Sequence, residues 1–200
     1  MYITTNYRVI VENGWENDLE YITAPTEYHE KRYTLFLSVD RGVGEEFLRH
    51  RPFSYSKEST RYCRYSLDKF GNQITYILPE ADLQYLEEGE YTLNEYGDIC
   101  TKNNYNDSAA DNATHDFLKL LLDAEKTYMN LINHGWTAQQ ARRVLPLAVK
   151  GDFVMTGFES DWQHVIDLRY HETTGKVHPD MMHISEKIYK LFKDNNINIK

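Results

Sequence analysis

The sequence is poor in cysteine and proline, with two and five in 200 residues, and it contains no long apolar run. The absence of a Cys-x-x-Cys pair argues against a disulfide framework or a structural zinc site. No run approaches the length of a membrane span, and the first residues lack the regions of a signal peptide. We therefore expect a cytoplasmic protein with no membrane partner.

Positive charge is also scarce, because 22 Lys and Arg face 31 Asp and Glu and leave a formal net charge of -9. General nucleic-acid binders need a broad positive field, so we expect no nucleic-acid partner. Among eight histidines, His164, His171 and His178 recur every seven residues. Ligands on one helical face need a spacing of three or four, so we expect no metal site.

Alternating apolar residues predict four strands, as expected where one face of each strand is buried. They cover residues 7–11, 33–39, 61–66 and 73–78. A turn at 41–44 and a brief helix are expected after the second strand, and Pro52 prevents the helix from continuing. Arg49, His50 and Arg51 would then lie at the end of that helix.

Apolar residues at helical spacing predict helices in the second half of the chain. One runs from about residue 113 to Gly135, two begin at capping-box spacings, Thr137 with Gln140 and Ser160 with Gln163, and the last begins at Pro179. We expect an α+β fold, a single mixed domain over residues 1–200 with a central antiparallel sheet flanked by helices. An irregular acidic insertion is expected around residues 80–112.

The stretch from Arg49 to Tyr62 concentrates basic and hydroxyl groups in an acidic chain. Arg49-His50-Arg51 is followed, after seven residues, by Ser59-Thr60-Arg61-Tyr62. Such groups can surround a phosphate or carboxylate. A basic cluster at a helix end is often only a solvated surface, but here aromatic residues are interleaved with the charges. We therefore predict an anion site.

Two later arginines, Arg142 and Arg169, suggest an extension of this site. An isolated arginine most often pairs with a surface acid, and that reading holds for each of them alone. Cys63 lies beside the basic stretch, and we expect it to be a small core residue and not a nucleophile.

The string Arg49-His50-Arg51, seven residues, Ser59-x-Arg61-Tyr62 resembles the signature of the flavin-dependent thymidylate synthases. The resemblance extends to Ala141-Arg142-x-Val144-Leu145-Pro146 and to Arg169, 23 residues after Pro146. It covers most of the chain from Tyr33 to Pro179.

The resemblance implies a homotetramer with FAD at the subunit interfaces. It implies reductive methylation of dUMP to dTMP for dTMP biosynthesis, with methylenetetrahydrofolate as carbon donor and NADPH as reductant. Side chains supply no hydride, so a flavin or nicotinamide must carry it. The flavin-free thymidylate synthases need a cysteine beside proline, whereas Leu147 follows Pro146 here.

The resemblance also implies residue roles. Arg169 would lie against the uracil ring, favour ionisation of its nitrogen and act as the catalytic residue. The expected FAD contacts are Arg49, His50, Arg51, Lys57, Glu58 and His164. The expected dUMP contacts are Glu46, Arg49, Ser59, Thr60, Arg61, Tyr62, Arg142 and Arg169.

Several positions depart from the family pattern. Ser56 and Lys57 stand where the family often has Asn-Glu, and Glu45 and Glu46 replace a basic residue and a glutamine. Phe158 and Ser160 replace an Asn-x-Arg pair, and His164 replaces an asparagine. The His and Thr flavin contacts of the family map loosely to residues 23–29.

Two alternatives stay open at the level of sequence. A nucleotide- or RNA-binding module could use the same anion site without redox chemistry, with the 16 tyrosines as stacking surfaces. A family member could also keep the fold and have lost the activity, as the changes at Lys57 and Phe158 allow.

Overall fold

A computed structural model describes residues 2–4, 10–21, 30–79, 91–93, 99–101 and 112–200. These fall into two compact units, the first formed by Met1–Lys57 with Gly151–Lys200 and the second by Glu58–Lys150. The flavin contacts expected at residues 23–29 and most of the acidic insertion lie outside the described residues. The single-domain assignment stays a prediction.

The described residues include six strands and five α-helices, with short 3-10 segments at Glu16–Tyr21, Asp68–Phe70 and Arg142–Val144. The strands are β1 (Tyr2–Thr4), β2 (Arg32–Asp40), β3 (Ser54–Lys57), β4 (Tyr91–Leu93), β5 (Ile99–Thr101) and β6 (Lys150–Phe158). The helices are α1 (Arg41–Phe47), α2 (Asn112–Asn133), α3 (Ala138–Ala141), α4 (Glu159–Arg169) and α5 (Pro179–Asp194).

The first unit is built on a four-stranded sheet in the order β1-β2-β6-β3. The pairs β1–β2 and β3–β6 are antiparallel. Between the central strands, the Thr34 hydroxyl contacts the Thr156 hydroxyl at 2.5 Å and Ser38 bonds to Asp152. From the first pair to the second the residue number rises along β2 and falls along β6, so these two strands are antiparallel too. The prediction of an antiparallel sheet with helices beside it is confirmed.

The core of the first unit lies between this sheet and the helices α1, α4 and α5. Strand β2 buries Leu35, Leu37 and Val39 as predicted, and Tyr33, the fourth residue of that set, is half-buried. On α5 the predicted apolar face is likewise in the core. The largest fully buried side chains of this core are Leu35, Leu37, Phe47, Phe153, Met155, Trp162, Ile166, Met181, Ile188 and Phe192.

The second unit is organised around α2, whose apolar face is the one predicted. Leu118, Leu121, Tyr128 and Ile132 on this helix are buried, and β4 and β5 form a separate antiparallel pair. At the C-terminal side of α2, Gly135 adopts a φ of 88°, a conformation that glycine adopts without the strain a Cβ would add.

Two predicted strands of the second unit are wrong. Residues 61–66 form turns, because the Tyr62 and Cys63 N–H groups both donate to the Ser59 carbonyl at 3.0 and 2.9 Å. Residues 73–78 make only an isolated bridge, from Tyr76 to Val149. In both segments the apolar side chains pack against other side chains of this unit, and the backbone joins no sheet.

Two local predictions in the first unit are also wrong where the described residues test them, and residues 7–9 of the predicted strand 7–11 lie outside the described residues. The predicted turn at 41–44 is the first turn of α1, because the Asp40 carboxylate accepts from Val43 N–H at 2.8 Å and caps the helix. In the predicted strand 7–11, Val11 lies in a helical turn closed by Gly14 N–H to the Val11 carbonyl at 3.2 Å. Strands β3 and β6 were not predicted.

The helix starts were predicted with mixed success. The Thr137–Gln140 capping box is present, with Thr137 N–H donating to Gln140 Oε1 at 2.9 Å, and α5 begins at Pro179. The box expected at Ser160 and Gln163 is wrong. Helix α4 begins at Glu159, two residues earlier than that box requires, and the N-cap is Phe158, whose N–H donates to Asp161 Oδ2 at 2.9 Å.

Within the described ranges, no helix combines the length and apolar character that crossing a membrane requires. The same residues contain no group of three or more His, Cys, Asp or Glu side chains arranged to hold a metal ion.

Candidate functional site

The predicted Arg49-His50-Arg51 stretch forms a tight turn after α1. The His50 N–H donates to the Phe47 carbonyl at 2.9 Å. The Tyr55 hydroxyl, from β3, lies 2.6 Å from the Phe47 carbonyl and 2.9 Å from the His50 carbonyl, so its single proton is shared between these two acceptors. The turn is thereby tied to the sheet. Arg49 and Arg51 are exposed, and no hydrogen bond or ion pair joins their side chains to another described residue.

Arg169, at the last turn of α4, meets the residues of this turn. Its Nε donates to His50 Nε2 at 3.2 Å, and its Nη1 lies 3.3 Å from Glu46 Oε2. The side chains of Arg169 and Glu46 are only 20% and 29% exposed. Three of the predicted site residues thus form one cluster, although Arg169 is 119 positions from His50 along the chain.

The imidazole of His50 is neutral in this cluster. Burial lowers its pKa to about 4, and the positive charge of Arg169 contributes in the same direction, as do His164 and Arg49. Because Nε2 accepts from Arg169, the ring proton is on Nδ1. His50 therefore acts as a neutral acceptor that orients a guanidinium group and adds no charge beside it.

This environment predicts a pH dependence of stability. The unfolded chain protonates His50 below its ordinary pKa of 6.5, whereas the folded chain does so only near 4. Unfolding therefore becomes more favourable as the pH falls from 6.5 to 4, by up to about 3 kcal/mol. Urea unfolding at several pH values measures the slope of the free energy of unfolding against pH.

The variant His50→Gln should lack most of this slope between pH 6.5 and 4, because the amide does not titrate in that window. The matched control is His134→Gln, at an exposed position outside the cluster. It should keep the wild-type slope. Equal slopes for wild type and His50→Gln would contradict the burial effect.

Two residues predicted to contact FAD are engaged with other protein groups. The Lys57 ammonium lies 3.1 Å from Glu45 Oε1. Its side chain, 16% exposed, passes over Gly44, where a Cβ would lie 3.2 Å from Nζ. Glu58, in the second unit, accepts from the Tyr65 hydroxyl at 3.0 Å. The contacts of Lys57 and Glu58 with FAD stay predictions.

The second unit carries the other half of the predicted motif in a turn. The Ser59 carbonyl accepts the two N–H groups that close the turn, and Ser59 Oγ accepts the Arg61 N–H at 3.3 Å. Such a hydroxyl-to-backbone contact stabilises a turn. Thr60 is buried and Tyr62 is 75% exposed, so the turn places the Thr60 side chain inside and the Tyr62 side chain in solvent.

Contacts within the second unit bring Arg61 and Arg142 to this turn. Arg61 Nε donates to Gln139 Oε1 at 2.8 Å, and Arg142 Nη1 donates to Thr60 Oγ1 at 3.4 Å. In the described part of the chain, no carboxylate pairs with either arginine. Sequence reasoning missed Gln139. Its spacing of three from Arg142 across a capped helix could have indicated a shared face.

Cys63 is half-buried and packs against the core of the second unit, as predicted. Burial raises the pKa of the thiol, and the neighbouring Glu58 carboxylate raises it further. The thiol therefore stays protonated, and a neutral thiol is a poor nucleophile.

Comparison with known proteins gives a match over most of the chain. The profile of the family described as "Thymidylate synthase complementing protein" matches residues 25–195. That range includes the turn after α1, the turn from Ser59 to Tyr62, and Arg142 and Arg169.

Two curated relatives are similar at low identity. The "Flavin-dependent thymidylate synthase" of Synechocystis sp. is 26% identical over 157 residues, or 78% of this chain. The "Probable flavin-dependent thymidylate synthase" of Paramecium bursaria Chlorella virus 1 is 25% identical over 159 residues, also 78% of this chain. In both cases the match spans 65% of the relative's own length.

Proposed function

The chain belongs to the thymidylate synthase complementing protein family, the flavin-dependent thymidylate synthases, and we propose that it converts dUMP to dTMP. In this proposal methylenetetrahydrofolate donates the carbon and NADPH supplies the reducing equivalents through FAD. One observation supports this proposed function most strongly. The arginines 49, 51, 61 and 142 are all exposed and have no carboxylate partner in the described residues, although 31 acidic residues are present.

Residues of the second unit are arranged in a way that suits the binding of the nucleotide phosphate. A phosphate dianion needs planar donors and hydroxyl or backbone groups close together. Arg61 and Arg142 are held beside the turn of Ser59 and Thr60 by the contacts described above. We assign these four residues and Tyr62 to dUMP.

The first unit suits a second anionic ligand. Arg49 and Arg51 extend from a turn anchored by Tyr55, with no ion pair to neutralise them in the described residues. We assign the diphosphate of FAD to these two arginines. Arg49 and His164 are both close enough to His50 to lower its pKa, so we assign His50 and His164 to the same ligand. When bound, the flavin supplies the hydride chemistry that side chains lack.

Arg169 has the role of polarising the pyrimidine in this proposal. Its guanidinium is oriented by neutral His50 and by Glu46, which leaves the remaining N–H groups for a ligand oxygen or nitrogen. A positioned cation stabilises negative charge that develops on the uracil ring. We keep the assignment of Glu46 to the nucleotide site. The contact that the structure gives this residue is the one with Arg169.

The proposal includes a homotetramer with its sites at subunit interfaces, as the family resemblance implies. Light scattering of the purified chain measures the mass directly. A mass of about four chains supports this part of the proposal, and a monomer with full activity contradicts it.

The test of function is the formation of dTMP by the purified chain. Chromatography of a mixture with FAD, NADPH, methylenetetrahydrofolate and dUMP should show dTMP, and omission of any one component should abolish it. If saturating FAD gives neither binding nor NADPH oxidation, the enzyme assignment fails. A salt-sensitive RNA mobility shift together with no flavin affinity would favour the nucleic-acid-binding alternative.

A further inference from the structure

The guanidinium of Arg61 is held by a neutral group, although the chain is rich in acids. Its Nε lies 2.8 Å from the amide oxygen of Gln139. In the first unit, by contrast, Arg169 contacts the carboxylate of Glu46 at 3.3 Å. A neutral acceptor orients a guanidinium and leaves its net charge unchanged, whereas a carboxylate orients it and also offsets part of that charge.

The contacts of Arg61 leave one particular edge of its side chain available. Ser59 fixes its backbone, and Gln139 takes the Nε hydrogen. The guanidinium lies 5.1 Å from the centroid of the Tyr62 ring, which covers one of its faces. The two Nη groups form the remaining edge, which has the geometry that guanidinium groups use to bind phosphate oxygens in a bidentate manner.

Gln139 and Arg142 are three residues apart, across the end of α3 and the start of the 3-10 segment. The helix start is fixed by the Thr137–Gln140 capping box. Arg142 is also held by a neutral acceptor, the Thr60 hydroxyl. The same short segment therefore supplies one arginine and the acceptor that positions the other.

We infer that Gln139 is a positioning residue for the binding of a phosphate dianion. Its neutral amide holds the guanidinium of Arg61, which binds the phosphate, and does not neutralise the positive charge. This inference rests on the proposed function for its substrate, dUMP. It assigns to Gln139 a part in selecting a nucleotide over the uncharged nucleoside. A carboxylate at position 139 would keep the geometry and compete with the phosphate for the same cation.

The test compares Gln139→Glu and Gln139→Ala in the full-length, FAD-loaded chain. Calorimetry measures the dissociation constants of dUMP and of deoxyuridine, which lacks the phosphate. Gln139→Glu should weaken dUMP binding about tenfold, and Gln139→Ala about threefold, because a charge-assisted contact with phosphate is lost or loosened. Deoxyuridine affinity should be unchanged in both variants.

The matched control is Gln140→Glu, which adds the same charge one residue later. A glutamate keeps the capping box, so the helix start is preserved. This control should change dUMP affinity less than twofold. Raising the salt concentration should reduce the difference between Gln139→Glu and wild type, as expected for an interaction between exposed charges.

The outcomes separate the inference from the proposed function. If wild type binds dUMP and Gln139→Glu binds it equally well, the inference is wrong and the proposed function stands. Equal losses for dUMP and deoxyuridine would also contradict it, because they indicate general damage to the site. If wild type binds no dUMP, the proposed function fails and the inference fails with it.

Discussion

Replacing Arg169 by alanine should lower turnover by about 100-fold to 1,000-fold, the range found when one positioned donor to a developing negative charge is removed. The affinity for FAD should change only a few-fold, because Arg49 and Arg51 remain in place. The substitution also leaves the half-buried carboxylate of Glu46 without its cation and removes the donor to His50 Nε2. Steady-state kinetics and a flavin titration measure the two effects separately.

Arg143→Ala is the matched control, since it removes an exposed arginine that has no described partner and no assigned role. Arg169→Lys should rescue only part of the rate, because one ammonium group cannot reproduce a planar fork with two fixed partners. An unaffected rate in Arg169→Ala would contradict the role assigned to this residue.

Replacing Gly157 by alanine should destabilise the first unit by about 1 to 3 kcal/mol, which is the cost of overpacking a core. A Cβ at this position of β6 would lie 2.5 Å from Cδ1 and Cε1 of the Phe53 ring. The ring cannot easily withdraw, because it is buried and packs edge-on against Trp162 with centroids 4.7 Å apart. Thermal unfolding should show a melting temperature lower by about 2 to 12 °C.

Gly151→Ala provides the comparison within the same strand. A Cβ at Gly151 would approach no atom closer than 3.9 Å, which is ordinary contact. This variant should therefore stay within about 1 kcal/mol of wild type. If Gly157→Ala is as stable as Gly151→Ala, the close approach of Phe53 to the backbone of β6 is not a constraint on the fold.

The fold could be predicted where the signal is local and apolar. Strand β2 and helices α2 and α5 each bury one regular face, so their periodicity is visible in sequence. Strand β6 was missed because two of its four buried positions are Gly151 and Gly157, which carry no hydrophobic signal. The polar β3 has no apolar pattern either. Alternation alone was misleading at residues 61–66, where local hydrogen bonds form turns.

The site could be predicted as a set of residues more easily than as a set of contacts. The basic motif was found from its concentration of charge, Arg142 and Arg169 were noted at predicted helices, and the family resemblance joined the three into one expected site. The contact of Arg169 with His50 joins residues 119 positions apart, and that of Arg61 with Gln139 joins residues 78 apart. Such pairs depend on packing between distant segments. Glu46 was expected to contact substrate, and its ion pair with Arg169 was not foreseen.

The measurement that tests the central claim most directly is the flavin absorbance spectrum of the purified chain during a titration with dUMP. We predict that the chain binds FAD and that dUMP shifts the flavin bands saturably, with a weaker response in Gln139→Glu. A chain that binds no FAD, or whose flavin spectrum is unchanged at saturating dUMP, would contradict the proposed function.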